Sequence, residues 1–367
     1  MHATRKMIRS SDILIIGEGV SSIFPILLGK KRVTVIEKGK PFSRILVSGN
    51  GRCNFFNEDI LDKENRFNKI ILNEEEKNYP EEVLSYIQNE LDISFYKEGK
   101  YYYPFFNKSE CFYYPLLKKI EKSEAFFIRG EATFIDHQKK EVTYVNEGKK
   151  EKIKYNKLLL TTGAFSYHNE RNYQLLNSLQ VKLIPFSPSL CPIRVKEKIP
   201  SYLPGLRIRG TVHVQIEGEE LYQEEGEILF KNDGLSGIVI YNVSLFINSL
   251  PYKEKEIKIL IDYSSFSGFK NTSKVALPEN FLKYINSKNL KINEMLKFTF
   301  DSFYDFPFSQ TSYGGISLDE IDLSSFMLKR REDIFVAGET INLNFPCGGY
   351  NIGYNMIEGY KIIKRML

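Results

Sequence analysis

The chain contains no tryptophan, only four cysteines and four histidines, and no run of 18 or more apolar residues. Without such a run, nothing in the sequence reads as a helix that spans a bilayer. Cys53, Cys111, Cys191 and Cys347 form no CxxC pair and match no zinc spacing, so neither a disulfide scaffold nor a zinc module is expected. Four scattered cysteines in a chain this long read as reduced thiols in a cytoplasmic protein. The basic stretch at residues 1–10 precedes an apolar one, but Asp12 and Glu18 interrupt it and no small-residue cleavage site follows, so a signal peptide is not expected. The missing tryptophan carries no functional reading: Phe and Tyr are abundant (27 and 23), with Lys, Ile and Asn also plentiful, and a biased genome accounts for all of it.

What is present fits an ordinary globular protein. With 42 % hydrophobic and 26 % charged residues the chain is neither disordered nor collagenous. Its 367 residues suffice for two or three folding units. The net charge of +5 is mildly basic, below that usual for a protein that coats duplex nucleic acid, and it leaves room for a basic groove that holds RNA.

Ile13-Leu14-Ile15-Ile16 is a short apolar run ending at Gly17, which suits a strand buried on both faces of a parallel sheet. Gly17-Glu18-Gly19 reads as a turn and 20–28 as a helix that starts late or kinks, because Pro25 lies within it. Val33-Thr34-Val35-Ile36 is a second strand, closing at Glu37, and completes a βαβ unit. Residues 42–57 read as a loop centred on Ser48-Gly49-Asn50-Gly51-Arg52-Cys53-Asn54. Helices are expected over 80–91 and 109–120, an aromatic strand region over 92–104, and a meander over 125–157 with a basic turn at Gly148-Lys149-Lys150. Leu158-Leu159-Leu160 reads as a separate buried strand running into Thr161-Thr162-Gly163. From Pro185 to Pro307 the pattern changes to short alternating strands with glycine turns over 206–231, helices over 236–250 and 277–285, and a strand over 256–262. Ile334-Phe335-Val336-Ala337 then runs into Gly338-Glu339, and Gly348-Gly349 precedes a C-terminal helix. The expected fold is α/β: a doubly wound, Rossmann-like domain from 1–185 and 307–367, interrupted at 186–306 by a β-barrel-like and helical domain.

Gly17-x-Gly19-x-x-Ser22 carries the clearest chemistry. The first glycine permits a tight turn, the second lets backbone approach a pyrophosphate, and the helix start supplies N–H donors. Glu37 lies 20 residues after Gly17, where a carboxylate that bonds an adenosine ribose belongs. The strand-to-glycine segments at Thr162-Gly163 and Gly338-Glu339 are two further places where backbone can approach a ligand closely.

Four more segments carry a family resemblance. They are Ser48-Gly49-Asn50-Gly51-Arg52-Cys53-Asn54-x-x-Asn57; Gly226-Glu227-Ile228-Leu229-Phe230 with Gly234-Leu235-Ser236-Gly237; Thr311-Ser312-Tyr313-Gly314-Gly315-Ile316; and Ala337-Gly338-Glu339 with Gly348-Gly349-Tyr350-Asn351. In this order, from about Ile13 to Met366, the chain resembles the BaiN/RdsA group of NAD(P)/FAD-dependent oxidoreductases. That group includes aminoacetone oxidases, a bile-acid flavoprotein and dihydrouridine synthases of large-subunit ribosomal RNA. The chain departs from the pattern in four places. Ser22 replaces the third glycine, Lys231-Asn232 stands for Thr-His, Ile238 stands for Pro, and the usual segment after Gly163 is missing. The inserted domain is also short.

The resemblance implies a glutathione-reductase-type FAD domain. In it Gly17, Gly19, Val20, Ser21 and Ser22 would hold the pyrophosphate, and Glu37 with Lys38 the ribose. Arg44, Gly51, Arg52, Asn54, Thr162 and Gly163 would line the cofactor, Gly338 and Glu339 would approach the pyrophosphate and ribityl chain, and Gly348, Gly349, Tyr350 and Asn351 would face the flavin ring. Cys53 has two readings, a thiol that donates a proton to substrate or a small buried residue in a tight loop, and the catalytic role is the one expected of a candidate site residue here. His168 reads as a surface histidine, Tyr101 to Phe106 as a buried aromatic strand, and the lysines from 149 to 157 as a solvated hairpin. The expected activity is reduction of an unsaturated C=C bond or ring in a small-molecule substrate, with NAD(P)H or another donor. Uridine reduction in ribosomal RNA and a non-catalytic flavin-holding sensor are the alternatives. No metal and no membrane partner are expected.

Overall fold

Ser10 opens β1 (Ser10–Ile16), whose apolar run is buried on both faces, and Gly17 ends it. A 3-10 turn, Val20–Ser22, leads into α1 (Ile23–Leu28), which places Pro25 in the first turn, where its missing N–H costs nothing. β2 (Val33–Glu37) pairs parallel with β1. A computed structural model describes residues 9–60, 73–163, 171–251, 255–264, 277–291 and 294–367 of the chain.

The stretch expected to be loop contains α2 (Ser43–Val47) before the 3-10 turn Ser48–Gly51. A single helical turn is too short to show a 3.6-residue period, and Ile45 alone is buried from it. A small sheet follows, with β3 (Phe56–Asn57), α3 (Tyr79–Asn89), β4 (Phe95–Glu98) and β5 (Tyr101–Pro104) in chain order and strand order β3-β5-β4. Only the first part of the aromatic run is strand: Phe105 and Phe106 lie beyond it and are exposed. After α4 (Glu110–Glu121) come β6 (Phe126–Arg129), β7 (Glu131–Asp136), β8 (Glu141–Asn146) and β9 (Lys149–Leu160). The basic hairpin and the leucine run, expected as separate pieces, are one twelve-residue strand. Its first half pairs antiparallel with β8, and its second half pairs parallel with β1, so one strand passes from a solvated ladder into the buried sheet. α5 (Arg171–Asn177) follows, and the chain leaves this unit within β10 (Leu183–Ser189).

Residues Ser187–Tyr313 form a unit of their own. It is a closed barrel of β11 (Ile193–Val195), β12 (Arg207–Ile216), β13 (Glu219–Phe230), β14 (Gly234–Ser236), β15 (Ile257–Asp262) and β16 (Leu296–Phe303), with α6 (Ile238–Ser249) and α7 (Glu279–Ser287). The region 206–231 is two long strands rather than several short ones, with Gly218 alone in the turn and Gly210 opposite Gly226 inside the ladder. The alternating apolar side chains of β12 and β15 fill its separate core.

The chain re-enters the first unit within β17 (Thr311–Ile316), continues through β18 (Ile321–Asp322), β19 (Met327–Leu328) and β20 (Arg331–Val336), and ends in α8 (Tyr350–Met366). The main sheet runs β18-β19-β20-β9-β1-β2-β6, with β7 and β8 attached beside β9. Its four central strands, β20, β9, β1 and β2, are parallel and rich in Ile, Val and Leu, as strands covered on both faces must be. The fold is therefore α/β, a Rossmann-type sheet plus a six-stranded antiparallel barrel. Among the described residues no helix is long and apolar enough to cross a membrane.

Candidate functional site

The chain leaves β1 toward β2 on one side and returns through β9 on the other, so the strand order reverses between β1 and β9. At such a reversal the connections diverge and a crevice opens beyond the carboxyl ends of the strands. Gly17, Thr161 and Gly338 stand at those ends after β1, β9 and β20.

Gly17 has φ +98°, and its amide donates to Ile36 O (2.9 Å). Thr161 Oγ1 donates to Gly17 O (2.6 Å), and a Cβ on Gly17 would lie 2.4 Å from Thr161 O. The turn is thus pressed flat against the end of β9. Ser22 closes it: its hydroxyl donates to Gly19 O (2.7 Å) and its amide to the same carbonyl (3.0 Å). The first N–H groups of the Val20–Ser22 turn have no intrahelical acceptor, which makes them donors for a phosphate oxygen. A third glycine would ordinarily permit close packing of the following helix. Here the close approach comes from α8, where a Cβ on Gly359 would meet Ser21 O at 2.2 Å.

Two carboxylates stand at one end of the crevice. Glu37 accepts from the amides of Glu18 (2.7 Å) and Gly39 (2.6 Å), which fixes its carboxylate at the tip of β2. Glu18 is buried and accepts from Arg129 Nη1 of β6 (3.3 Å); burial raises its pKa, and Arg129 opposes the rise. On the other side Thr162 Oγ1 lies 3.3 Å from Thr340 Oγ1, and Gly338 N donates to Glu358 Oε2 (2.8 Å). Glu358, on α8, is the residue sequence reasoning missed. Burial pushes its carboxyl up to about 7, while the Gly338 amide and the nearby Ser21 hydroxyl hold it down. The available signal was an acid between Ile357 and Gly359 on the apolar side of the helix.

The other end is built by the loop before α8. Asn57 Nδ2 donates to Gly348 O (2.7 Å), and Asn54 Oδ1 faces Gly349. Asn351 folds back on its own loop, donating to Phe345 O (3.0 Å) and accepting from Phe345 N (3.3 Å). The rings of Phe345 and Tyr354 stack at 4.0 Å, and Tyr350 OH donates to Asp59.

These contacts bring together Gly17, Gly19, Ser21, Ser22, Glu37, Thr162 and Gly338 at the strand ends, with Val20, Gly163 and Glu339 next to them in the chain, and Asn54, Gly348, Gly349, Tyr350 and Asn351 at the start of α8. Two expected residues turn elsewhere. Lys38 donates to Glu131 (3.3 Å) on the surface. Arg52 donates to Asn107 Oδ1 (2.7 Å) and Glu98 Oε2 (2.9 Å) and covers the Tyr103 ring, so it braces the small sheet; Gly51 lies beside it, half-buried. Arg44 sits half-buried on α2. His168 lies outside the described residues. His213 is held by Glu220 (2.8 Å) and His137 by Arg331 (3.2 Å).

The catalytic reading of Cys53 does not fit the geometry. Its backbone takes φ +55°, which rolls the side chain into the main core, where it is fully buried. Burial pushes the thiol up to about 12, against a weaker pull from Ser48. A group with no exposed surface cannot meet a substrate, and a thiol so far above neutrality is inert. Cys191 is buried too and pushed up to about 12, mainly by burial, whereas Cys111 and Cys347 are partly exposed. A thiol-titrating disulfide reagent should therefore modify two cysteines in the native protein and four after denaturation; rapid labelling of Cys53 in the native state, located by peptide mapping, would contradict this placement.

Three buried oxygens in this region, Ser21 Oγ, Asn54 Oδ1 and Glu18 Oε1, have no hydrogen-bond partner. Each such orphan costs about 1–3 kcal/mol, so unmet groups gathered beside glycine turns mark a place for a ligand. The arrangement fits a dinucleotide: backbone donors for phosphates, carboxylates for ribose hydroxyls, and a polar loop at the far end for a ring.

The model of the family described as HI0933-like protein Rossmann domain matches residues 11–364. The chain is 21 % identical to a 3-dehydro-bile acid delta(4,6)-reductase of Clostridium scindens, over 94 % of this chain and 96 % of that protein. It is 23 % identical to a ribosomal RNA dihydrouridine synthase of Haemophilus influenzae, over 96 % of this chain and 98 % of that protein. Among solved structures it is similar to BexE at 11 % identity and a TM-score of 0.44, with 97 % of this chain aligned and only about three-fifths (62 %) of that one covered.

Proposed function

Since the chain belongs to the HI0933-like family, with a Rossmann domain matched over 11–364, we propose that it is an FAD-dependent oxidoreductase that reduces an unsaturated C=C bond or ring. The observation that carries this reading is the glycine-lined crevice at the β1/β9 reversal, with Glu37 at one end and unmet buried oxygens along it. The names of two relatives point to the same bond type: one reduces a bile acid at its delta(4,6) positions, and the other yields dihydrouridine.

Bound FAD would supply the hydride chemistry. The protein's part is to bind and orient. The N–H groups at Val20 and Ser21 would hold the pyrophosphate, and Glu37 would accept from the ribose hydroxyls. Gly338 and Glu339 would approach the pyrophosphate and ribityl chain. The start of α8, at Gly349, Tyr350 and Asn351, would offer N–H groups to the flavin ring, where the positive end of the helix favours negative charge. NAD(P)H or another donor would deliver electrons. The proton that reduction also requires comes from a group other than Cys53, or from water.

The purified protein should be yellow and should release FAD on heating, and anaerobic NADPH should bleach it. A colourless protein that cannot be reconstituted with FAD would overturn the reading; a yellow one that no nicotinamide reduces would take its electrons from another donor or be a holder of flavin. A second reading, in which the unsaturated ring is a uridine of ribosomal RNA, rests on the match to the dihydrouridine synthase. Mass-spectrometric mapping of dihydrouridine in a deletion strain separates it from a metabolite substrate.

A further inference from the structure

Glu358 has no part in the reading above, yet it is one of the most enclosed ionisable groups in the chain, 1 % exposed. It sits where two turns meet. Its Oε2 accepts from the amide of Gly338, at the end of β20. The next residue, Gly359, touches Ser21 O of the turn after β1, and Asn355 and Ser21 Oγ both approach Gly338. One helix segment therefore ties together the two turns that flank the crevice. Ser21 Oγ is buried beside the carboxyl but forms no hydrogen bond of ordinary geometry.

Among the described residues no neighbouring charge compensates Glu358. The Val20–Ser22 turn and α1 contribute no ionisable side chain, and the β20 turn contributes Glu339, of like sign. On α8 itself Tyr360 donates to Glu82 of α3, and Lys361 is bound to Glu76 (2.8 Å). Asp59, near the start of α8, is bound to Lys100 and Tyr350.

We propose that Glu358 is a positioning residue that carries a proton when the crevice holds a pyrophosphate, so that cofactor uptake is coupled to proton uptake. The proposal rests on the dinucleotide reading of the crevice. Protonated, the carboxyl accepts from Gly338 N through one oxygen and donates through the other to Ser21 Oγ, which satisfies the orphan and draws the two turns together. Ionised, it sets an uncompensated charge beside two more negative charges in a dry interior. In the free protein the group titrates near neutrality, because burial lifts it to about 7 against the Gly338 amide and the Ser21 hydroxyl. A bound anion lifts it further.

The test is FAD affinity of the apoprotein between pH 6 and 9, followed by quenching of flavin fluorescence. Wild-type affinity should be flat below about pH 7 and then fall by up to about tenfold per pH unit until the bound-state value is passed, as one linked proton requires. Glu358→Gln keeps both hydrogen bonds without the titration and should bind FAD with little pH dependence over that range. An unchanged slope in the variant, or a flat wild-type profile, overturns the proposal. Should the variant not fold, calorimetry of FAD binding to wild type at pH 7.5, in buffers of different ionisation heat, decides the matter: uptake of a fraction of a proton supports the coupling, and none refutes it. Absence of any FAD binding by wild type would instead refute the dinucleotide reading itself.

Discussion

Gly17→Ala should lower stability by roughly 3 kcal/mol and reduce FAD binding at least a hundredfold. A backbone at φ +98° is open to glycine and costs any other residue about 1–3 kcal/mol. The added methyl would also lie 2.4 Å from Thr161 O, a backbone atom that is itself fixed by Thr161 N bonding Ile16 O (2.9 Å). Neither side can yield without opening the β1/β9 junction. The same movement displaces the Val20–Ser22 turn, so the loss falls on the N–H groups that would hold phosphate as well as on the sheet. Thermal unfolding and FAD titration of one preparation check both parts. A variant with native melting temperature and full FAD content would show that the turn is not pressed against β9 as described.

Lys361→Ala should be the most destabilising change on α8, at about 3–5 kcal/mol, the usual cost of leaving one member of a buried ion pair alone. Lys361 is 0 % exposed and its side chain meets Glu76, itself 4 % exposed, at 2.8 Å. Glu76 is also held by Arg365 (3.0 Å) and by the amide of Asn73 (3.1 Å), whose side chain in turn caps the 3-10 turn Glu74–Glu76. Burial pushes the Glu76 carboxyl up, but Lys361, Asn73 and Arg365 together outweigh it and hold the group below its ordinary range. A carboxyl depressed in this way adds stability above its unfolded value near 4.3, and that contribution fades as pH falls through the folded value. The wild type should therefore lose stability on acidification more steeply than Glu76→Gln/Lys361→Met, which removes both charges. At neutral pH Lys361→Ala should melt roughly 10 °C lower. Arg365→Ala should lose about 1 kcal/mol or less, since that arginine is half in solvent. If the double variant is no more stable than Lys361→Ala, the pair is not what binds the Glu74–Glu76 turn to α8.

The parts of the fold legible in the sequence are those where a local pattern coincides with its environment. The run Ile13 to Ile16 is apolar at every position because both faces of β1 are covered, and Gly17 ends it because the backbone must turn through positive φ. The parts that were not legible depend on residues far away. β9 reads as two pieces because its neighbours change along its length, from β8 to β1, and composition follows the neighbours rather than the strand. Cys53 looks like a candidate donor in a glycine-rich loop, and only its φ of +55° sends it inward. Glu358 looks like any helical acid until Gly338, 20 residues earlier, is found donating to it. Glu18 meets Arg129 across 111 residues, a pairing no local spacing announces.

The Rossmann sheet is assembled from the two ends of the sequence, with β1 at Ser10–Ile16, β20 at Arg331–Val336 and α8 at Tyr350–Met366, whereas the barrel is contiguous, Ser187–Tyr313. During synthesis the barrel segment emerges whole and can close on the ribosome. The first unit must wait with β1, β2 and β9 already made and with one side of β9 bare, because β20 and α8 are translated after the barrel. Long-range pairing of this kind is slow and leaves an apolar strand edge uncovered for the time it takes to translate the intervening residues. The nascent chain should therefore recruit a chaperone between the emergence of β9 and that of β20, and ribosome profiling of chaperone-bound chains would locate that interval.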